Sequence, residues 1–347
     1  MANSLLENTP SGLYCPAGDF FIDPYADATH PVTRAVITHS HSDHAREGCG
    51  TYLTAADNYR LLRYRMGADA VIETVGYGEN RTINGVSVSL HPAGHVLGSA
   101  QVRVEYHGEI WVVSGDYKLA ADPTCAAFSP VRCHTFITES TFGLPIYRWP
   151  DASTVLNEIN DWWRHNQQNG KASVLFAYAL GKSQRLLAGI DSGIGPIFAH
   201  GAVRNMNRCY RESGVNVPEA ANPDDAPKGH DWSRALILAP PSAHGTTQGA
   251  AWLRRFGSVS TAFASGWMRV RGMRRRKFID RGFVLSDHAD WPALLEAIRL
   301  SEAQSIWATH GYSSALVRWL QEQGREAWMI ETHWNDEGDG ASGGEPE

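Results

Sequence analysis

The first third of the chain holds a dense cluster of side chains that bind transition metals. The pattern H-x-H-x-D-H is formed by His39, His41, Asp43 and His44. Imidazole and carboxylate are ligands that zinc, manganese and iron accept. The preceding residues 35–38 predict a short buried strand, so the ligands follow the end of a rigid element. In an extended chain His39 and His41 project to one side, whereas Asp43 and His44 come after a turn. This spacing favours a two-metal site over one structural ion.

A polar surface loop that happens to be rich in histidine is the alternative interpretation. The chain contains 15 histidines, so pairs of neighbouring histidines are expected by chance. Four ligand-type residues in this order, directly after a predicted strand, are a stronger signal than a chance pair. The metal site is therefore the favoured interpretation.

The composition is that of an ordinary soluble globular protein. The 347 residues are 43% hydrophobic and 20% charged, and the formal net charge of -6 means that any binding to a polyanion must be local. No stretch approaches the roughly 20 apolar residues of a membrane span, and the N-terminus lacks the features of a signal peptide. Five cysteines without a C-x-x-C spacing predict reduced thiols. We therefore expect a cytoplasmic protein that does not bind membranes.

Three further ligand-type residues come at the ends of predicted strands. His95 lies among glycines that let the backbone approach a site closely, although a loop histidine taken alone is more often structural or solvated. Asp116 follows the buried strand 110–114, where its carboxylate could give one oxygen to each of two metals or merely begin a turn. Asp23 ends an early strand, where it could cap a turn or accept the free N–H of a metal-binding histidine.

These motifs resemble those of the metallo-β-lactamase superfamily and, within it, the β-CASP nucleases, a branch that includes Artemis and the mRNA 3′-end-processing endonuclease. The H-x-H-x-D-H run carries the first resemblance, and residues 93–99, Ala-Gly-His-Val-Leu-Gly-Ser, carry the second. Asp23 matches an aspartate that recurs at the end of an early strand in this family. The resemblance covers nearly the whole chain. It implies an α/β protein, a metallo-β-lactamase αββα sandwich with an inserted α/β β-CASP cap domain.

The resemblance also implies a set of ligands for two divalent metal ions, zinc or manganese. Metal one would take His39, His41 and His95. Metal two would take Asp43, His44 and His310, with Asp116 shared between the two ions. Artemis-type enzymes often lack a histidine at the last of these positions, whereas the RNA-processing members have it.

Two more motif residues would take part in catalysis beside Asp43 and Asp116. His288, in the segment Ser-Asp-His-Ala-Asp, would protonate the leaving 3′-oxygen. Glu139, at the end of a predicted strand, would orient His288 and set its pKa. A buried glutamate needs such a partner, because an unpaired buried charge is costly.

The motif order divides the chain into domains. Residues 1–146 and 263–334 would form the two parts of the metallo-β-lactamase domain, and residues 147–262 the β-CASP insert. We expect the glycine-rich and acidic residues 335–347 to form a disordered tail. Within the first part, apolar residues at helical spacing predict a helix over residues 54–66.

Two basic segments are candidates for phosphate binding. Gly181-Lys182-Ser183 is no ATP-binding P-loop, because Phe176 stands where that motif requires glycine. A strand followed by this sequence at a helix start could still bind one phosphate near Lys182 and Ser183. The other segment follows a Gly-Trp element resembling that of the DNA-directed branch, and could form a phosphate track or a solvated loop. Its cations are Arg269, Arg271, Arg274, Arg275, Arg276 and Lys277.

The sequences of these motifs most resemble those of the bacterial DNA-ligase-associated DNA exonuclease family. That resemblance implies a metal-dependent hydrolase, an exonuclease that cleaves phosphodiester bonds of DNA during repair through a water activated by two metals. Its partners would be DNA and, by the same resemblance, a DNA ligase and a helicase. An RNA-processing β-CASP ribonuclease and a non-catalytic scaffold are the alternatives. The complete ligand set and His288 argue against a scaffold, because inactive relatives tend to lose ligands.

Overall fold

A computed structural model describes residues 4–25, 32–244, 247–270, 272 and 279–330. The chain divides into two compact units. Unit 1 comprises Met1–Arg148 and His288–Asp336, and unit 2 comprises Trp149–Asp287. The predicted tail at 335–347 lies outside the described residues.

Unit 1 contains two β-sheets. The first sheet has six strands in chain order, of which β1 to β3 pair antiparallel and β3 to β6 pair parallel: β1 (Glu7–Thr9), β2 (Gly12–Cys15), β3 (Phe20–Ile22), β4 (Arg34–Val36), β5 (Thr51–Ala55) and β6 (Ile72–Val75). The second sheet has seven strands, in the order β18-β17-β11-β10-β9-β8-β7: β7 (Asn80–Ile83), β8 (Val86–Pro92), β9 (Ala100–Tyr106), β10 (Glu109–Val113), β11 (Thr135–Glu139), β17 (Ser305–Thr309) and β18 (Glu326–Met329). Its helices are α1 (Tyr59–Met66), α6 (Trp291–Leu300) and α7 (Ser313–Glu322).

The apolar side chains of unit 1 form layers that follow from the alternation of side chains along a strand. Val36 of β4 joins a cluster with Val102 and Val113 of the second sheet, so the inner faces of the two sheets share one core. Ala35, on the opposite face of the same strand, packs with Leu62 of α1. Helices α6 and α7 cover the outer face of the second sheet. The layer order is therefore helix, sheet, sheet, helix.

The predicted helix over residues 54–66 begins later than expected. Strand β5 ends at Ala55, a 3-10 helix covers Ala56–Asn58, and α1 begins only at Tyr59. The helical spacing of apolar residues holds from α1 onward, but residue 54 is a strand residue because β5 pairs with both β4 and β6. Pairing within the sheet overrides the local helix signal here.

Unit 2 is built on one fully parallel sheet of five strands, in the order β13-β14-β12-β15-β16: β12 (Ala172–Phe176), β13 (Ile197–Ala199), β14 (Leu236–Ala239), β15 (Val259–Ala264) and β16 (Arg281–Phe283). Its strands are almost wholly buried, as expected for a parallel sheet. The α-helices whose bounds lie within the described part of this unit are α2 (Ala152–Gln168), α3 (Lys182–Gly189), α4 (Gly201–Glu212) and α5 (Thr247–Arg254).

The α/β class predicted from sequence is confirmed by these mixed sheets and helices. The sequence-based boundary at residue 262 falls inside β15, whereas unit 2 continues to Asp287 because β15 and β16 complete its parallel sheet. Within the described residues, no helix is long and apolar enough to cross a membrane.

The strand directions in unit 1 bring several strand ends to one edge of the second sheet. Strands β8 and β10 both pair antiparallel with β9 and so run in the same direction. Strands β11 and β17 continue that direction, since β10, β11 and β17 pair parallel. Residues that follow the carboxyl ends of these four strands are therefore neighbours in space, although they are far apart in sequence.

Candidate metal centre

All the candidate ligands and their supporting residues lie in unit 1, at or just after the carboxyl ends of strands. Asp23 follows β3, and the H-x-H-x-D-H run begins three residues after β4. On the second sheet, the strands β8, β10, β11 and β17 lead to His95, Asp116, Glu139 and His310 in that order. The chain thus converges on one place from both sheets.

The first cluster consists of three histidines and one aspartate, all buried, with potential ligand atoms within 4.8 Å of one another: His39, His41, His95 and Asp116. The Nδ1 atom of His41 lies 3.1 Å from Nε2 of His39 and 3.1 Å from Nε2 of His95. The Oδ2 atom of Asp116 lies 3.4 Å from Nε2 of His39 and 3.7 Å from Nε2 of His95. Four donor atoms therefore face a common point.

These separations are those of ligands around one metal ion. Zinc bonds of about 2.0–2.1 Å in tetrahedral geometry place neighbouring ligand atoms about 3.3 Å apart, close to the 3.1, 3.4 and 3.7 Å found here. The Oδ1 atom of Asp116 is buried and makes no hydrogen bond with any described residue. A carboxylate that is buried away from water needs a partner that compensates for the lost hydration. The donor set of the first cluster therefore fits a divalent cation.

The second cluster consists of Asp43, His44 and His310, again with ligand atoms within 4.8 Å. Nε2 of His44 lies 3.7 Å from Oδ2 of Asp43, and the rings of His44 and His310 stack with centroids 5.1 Å apart. The same Nε2 lies 3.5 Å from Oδ2 of Asp116. One oxygen of Asp116 thus faces both clusters, which is the arrangement that a shared ligand requires.

Asp23 fixes the rings of two of these histidines. Its Oδ2 atom accepts a hydrogen bond of 2.7 Å from Nδ1 of His44. It also accepts one from the hydroxyl of Thr38, which lies 3.0 Å from Nδ1 of His39. Because the hydroxyl proton of Thr38 goes to Asp23, the hydroxyl oxygen accepts the Nδ1 proton of His39. Nδ1 of both histidines therefore donates to these oxygens, and Nε2 is the ring nitrogen that faces the clusters.

Burial and neighbouring charges set the protonation of the ligands. Burial lowers the pKa of His310 to about 4, and burial beside His44 holds the pKa of His39 well below its usual range. Both rings are therefore neutral at pH 7. Burial also opposes the charged form of His44, but the carboxylates of Asp116 and Asp43 outweigh it and raise its pKa well above the usual range. A metal ion that binds His44 would have to displace that proton.

His288 and Glu139 form a buried pair beside the first cluster. Nδ1 of His288 donates a hydrogen bond of 2.9 Å to Oε2 of Glu139, and the backbone N–H of Tyr117 donates one of 2.7 Å to Oε1. Burial, with a smaller effect of the nearby Asp116, raises the pKa of Glu139 above its usual range. The His288 ring lies 4.6 Å from the ring of His95. Nδ1 of His288 is thus engaged by Glu139, and the ring packs beside the first cluster.

His310 has an unusual backbone that other side chains hold in place. Its φ of 59° is in the left-handed region, which residues other than glycine adopt at some energetic cost. The hydroxyls of Ser140 and Ser313 both donate to its carbonyl oxygen. Gly311, also left-handed, lies so close to Thr141 that a Cβ atom would stand 2.5 Å from the Thr141 Cα. The residues directly after Glu139 therefore shape the turn that carries this ligand.

The sequence reasoning did not find Thr38 or Ser140. Each hydroxyl stands next to a motif residue at the end of a strand, Thr38 before His39 and Ser140 after Glu139. That adjacency was visible in the sequence. The hydrogen bonds that give the two hydroxyls their roles join segments that are distant in the chain, so the adjacency alone did not distinguish them.

The phosphate-binding predictions in unit 2 receive no support from the described residues. The ammonium group of Lys182 is buried, 3.4 Å from Oδ2 of Asp287 and over the ring of Tyr178. The hydroxyl of Ser183 is also buried and donates to the carbonyl of Tyr178 at 2.7 Å. Both side chains therefore serve the interior of unit 2 and not an exposed phosphate surface.

Only one residue of the predicted basic track can be placed. Arg269 is exposed at the end of a 3-10 helix in unit 2. The remaining cations lie outside the described residues: Arg271, Arg274, Arg275, Arg276 and Lys277. The phosphate track stays a prediction.

Comparison with known proteins finds relatives of this chain in bacteria, archaea and eukaryotes. No family model matches it. It is 32% identical over 323 residues to a protein of Opitutus terrae described as a probable DNA ligase, covering 92% of this chain and 30% of that protein. It is 31% identical over 122 residues to cleavage and polyadenylation specificity factor 73 of Drosophila melanogaster, covering 35% of this chain and 18% of that protein.

An archaeal relative and one solved structure extend the comparison. The chain is 24% identical over 213 residues to an RNase J-like protein of Methanocaldococcus jannaschii, covering 52% of this chain and 50% of that protein. The chain therefore spans half or less of the length of these three relatives. A crystal structure of an Enterococcus faecalis protein of unknown function shares the fold, with a TM-score of 0.56, 13% identity and coverage of 90% of this chain and 82% of that one.

The role of Asp23 predicts a specific defect. The Asp23→Asn substitution would keep the shape of the side chain. It would weaken the hydrogen bond to His44 and the one to Thr38, which orients His39. We expect metal affinity to fall about 10–100-fold, the usual effect of losing a residue that orients metal ligands. Competition with a chromogenic chelator measures this. Asp19→Asn is the matched control, because Asp19 is exposed and also has a left-handed backbone; equal affinities for the two variants would contradict the assigned role of Asp23.

Proposed function

We propose that this chain, which belongs to the β-CASP family of metallo-β-lactamase nucleases, hydrolyses phosphodiester bonds of DNA with two divalent metal ions. The observation that carries the proposal is the shared carboxylate. Oδ2 of Asp116 lies 3.4 Å from a ring nitrogen of His39 and 3.5 Å from one of His44. A single buried oxygen between two ligand clusters suits a pair of metal ions that act on one phosphate.

The ligand assignment follows the two clusters. One ion would be held by His39, His41 and His95, and the other by Asp43, His44 and His310, with Asp116 common to both. Three imidazoles favour zinc at the first position, whereas the mixed nitrogen and oxygen ligands of the second also accept manganese. When bound, such ions supply a nucleophilic water at neutral pH and stabilise the charge on the phosphate.

His288 has the geometry of a general acid. Its Nδ1 proton is held by Glu139, so a second proton would reside on Nε2. The carboxylate of Glu139 stabilises the doubly protonated, cationic ring. Transfer of the Nε2 proton to the leaving 3′-oxygen would complete the cleavage and leave a neutral imidazole. The pair therefore acts on the leaving group, while the two clusters act on the phosphate.

The fold is consistent with the same family. The helix-sheet-sheet-helix order of unit 1 supports a metallo-β-lactamase sandwich, and the parallel sheet of unit 2 supports a β-CASP cap inserted between its two parts. The domain boundaries would then lie near residues 148 and 288 instead of 146 and 262.

DNA is the proposed substrate because of the extent of one match. The similarity to the probable DNA ligase runs over 92% of this chain, whereas the similarity to cleavage and polyadenylation specificity factor 73 covers 35%. The same match supports a DNA ligase as a repair partner, and exonuclease action in repair is the mode that we propose. RNA cleavage is the second candidate, favoured by the similarity of 52% of the chain to an RNase J-like protein.

Cleavage of end-labelled strands tests this proposal. We expect DNA strands, labelled separately at each end, to be shortened by the wild-type protein with manganese or zinc, and RNA strands of the same sequence to be cut more slowly. Asp43→Asn should abolish cleavage and weaken one metal, because a ligand of the second cluster loses its charge. Asp69→Asn, which changes an exposed aspartate of unit 1, is the control.

The possible outcomes separate the candidates. Cleavage of RNA in preference to DNA would replace the DNA proposal by the ribonuclease. Activity of Asp43→Asn near that of the wild type would remove Asp43 from the centre. No cleavage of either polymer by protein with metals bound would contradict a nuclease and favour a scaffold.

The role of His288 predicts a separation of catalysis from metal binding. We expect His288→Ala to slow turnover by about 10²–10⁴-fold, the usual contribution of a general acid, while both metals stay bound. Turnover under saturating substrate and metal content of the purified protein give the two readouts. His165→Ala, at an exposed position of α2, is the control. Loss of a metal from His288→Ala would show that His288 is a ligand and not the acid.

A further inference from the structure

One buried amide lies between the two loops that carry the ligands of the first cluster. We call residues 39–41 the metal loop and residues 93–99 the glycine loop. We infer that Asn58 is a positioning residue that fixes these two loops relative to each other and thereby sets the affinity of the first metal. The inference rests on the proposed metal centre and adds a residue that makes no contact with the metal.

Asn58 is hydrogen-bonded to the metal loop. Asn58 ends the 3-10 helix before α1 and is fully buried. The hydroxyl of Ser40, which stands between His39 and His41, donates a hydrogen bond of 2.8 Å to Oδ1 of Asn58. From α1, Nε of Arg65 donates one of 2.7 Å to the Ser40 carbonyl. Asn58 and Arg65 therefore hold both the side chain and the carbonyl of Ser40.

Hydrogen bonds through Thr54 determine the orientation of the Asn58 amide. Nδ2 of Asn58 donates a hydrogen bond of 2.8 Å to Oγ1 of Thr54, and that hydroxyl donates one of 3.2 Å to the carbonyl of Ile37. Because the only hydroxyl proton of Thr54 is used by Ile37, Thr54 can only accept from Asn58. The amide must therefore present its oxygen to Ser40. A continuous chain of hydrogen bonds connects Ile37, before the metal loop, with Ser40 inside it.

Asn58 also lies against the glycine loop. Gly98 has a φ of +73°, and a Cβ atom there would stand 2.2 Å from the backbone nitrogen of Asn58 and 2.4 Å from its Cα. Next to Gly98, the hydroxyl of Ser99 accepts hydrogen bonds from the backbone N–H groups of His95, at 3.1 Å, and Val96, at 3.2 Å. The turn that carries His95 is thus closed by Ser99 and rests against Asn58. Both loops are located by the same residue.

The second cluster is held by other groups. His44 is fixed by Asp23, and the turn of His310 is fixed by Ser140 and Ser313. Loss of the Asn58 amide should therefore loosen His39 and His41, which flank Ser40, and leave the ligands of the second metal in place. Such selectivity distinguishes a positioning residue from one that merely stabilises the fold.

Metal titration of variants of the full chain tests the inference. Zinc binding to the metal-free protein is measured by competition with a chromogenic chelator, and the thermal unfolding of the metal-free form is measured beside it. For Asn58→Ala we expect the affinity of one ion to fall at least about tenfold, in the range found for residues that orient metal ligands. The affinity of the other ion should stay within about twofold of the wild type. Ser40→Ala should weaken the same ion, and the double variant should add little, because both residues act in one contact.

Asn166→Ala is the matched control. Asn166 is also a buried asparagine whose Nδ2 donates to a hydroxyl, that of Ser173 at 2.9 Å, but it lies in unit 2. We expect it to lower the unfolding temperature without changing the affinity of either ion. An equal loss of zinc affinity in Asn166→Ala and Asn58→Ala would overturn the inference, as would wild-type affinities in Asn58→Ala.

Two further outcomes are distinguishable. If Asn58→Ala does not fold, Ser40→Ala decides the matter, because unchanged affinity for both ions in that variant would equally overturn the inference. If the wild-type protein binds no zinc at all, the proposed metal centre fails and the inference fails with it. If the wild-type protein binds two ions but the variants keep wild-type zinc affinities, the inference about Asn58 fails and the proposed function stands.

Discussion

The structure of unit 1 depends on one constraint, a carboxylate that must stand between two groups of histidines inside the protein. Asp116 is buried, yet the positive charge on His44 and the hydrogen bonds around it hold its pKa well below the usual range despite the cost of burial. An aspartate in such a place is stable only if positive charge surrounds it on several sides. The two clusters, and the ions that we propose for them, supply that charge.

The fold meets this constraint by bringing strand ends together. The strands β8, β10, β11 and β17 run in one direction, so their last residues lie along a single edge and deliver ligands that are up to about 200 positions apart in the chain. Local geometry then completes the placement. Asp23 and His310 both have left-handed backbones, with φ of 43° and 59°, which neighbouring hydrogen bonds maintain. Strain of this kind is typical of functional sites.

Much of the candidate site could be predicted because its candidate ligands form short local patterns. The H-x-H-x-D-H run and the histidine among glycines can be read within a few residues, and strand ends can be read from apolar runs. The supporting groups could not be predicted in this way. Thr38, Asn58 and Ser140 act through hydrogen bonds to distant segments, and their residue types are common in turns.

One wrong prediction and one prediction that gains no support have a related cause. Lys182 stands in a sequence that suits a phosphate site, but its charge is used by Asp287 more than 100 positions later. Residue 54 has a helical context, but Thr54 pairs with Thr74 of β6 in the sheet. In both cases a tertiary contact decided the outcome, and no local pattern contained that contact. The α/β class was easier to predict, since it depends on the alternation of strands and helices along the whole chain.

Anomalous diffraction at the zinc edge, recorded from crystals of the protein grown with zinc, is the most direct test of the two-metal centre. We expect two anomalous peaks about 3.5–4 Å apart, the separation usual in two-metal sites, with Oδ2 of Asp116 between them. One peak would lie among His39, His41 and His95, and the other beside Asp43, His44 and His310. A single peak, or two peaks without Asp116 between them, would contradict the shared carboxylate on which the proposed chemistry depends.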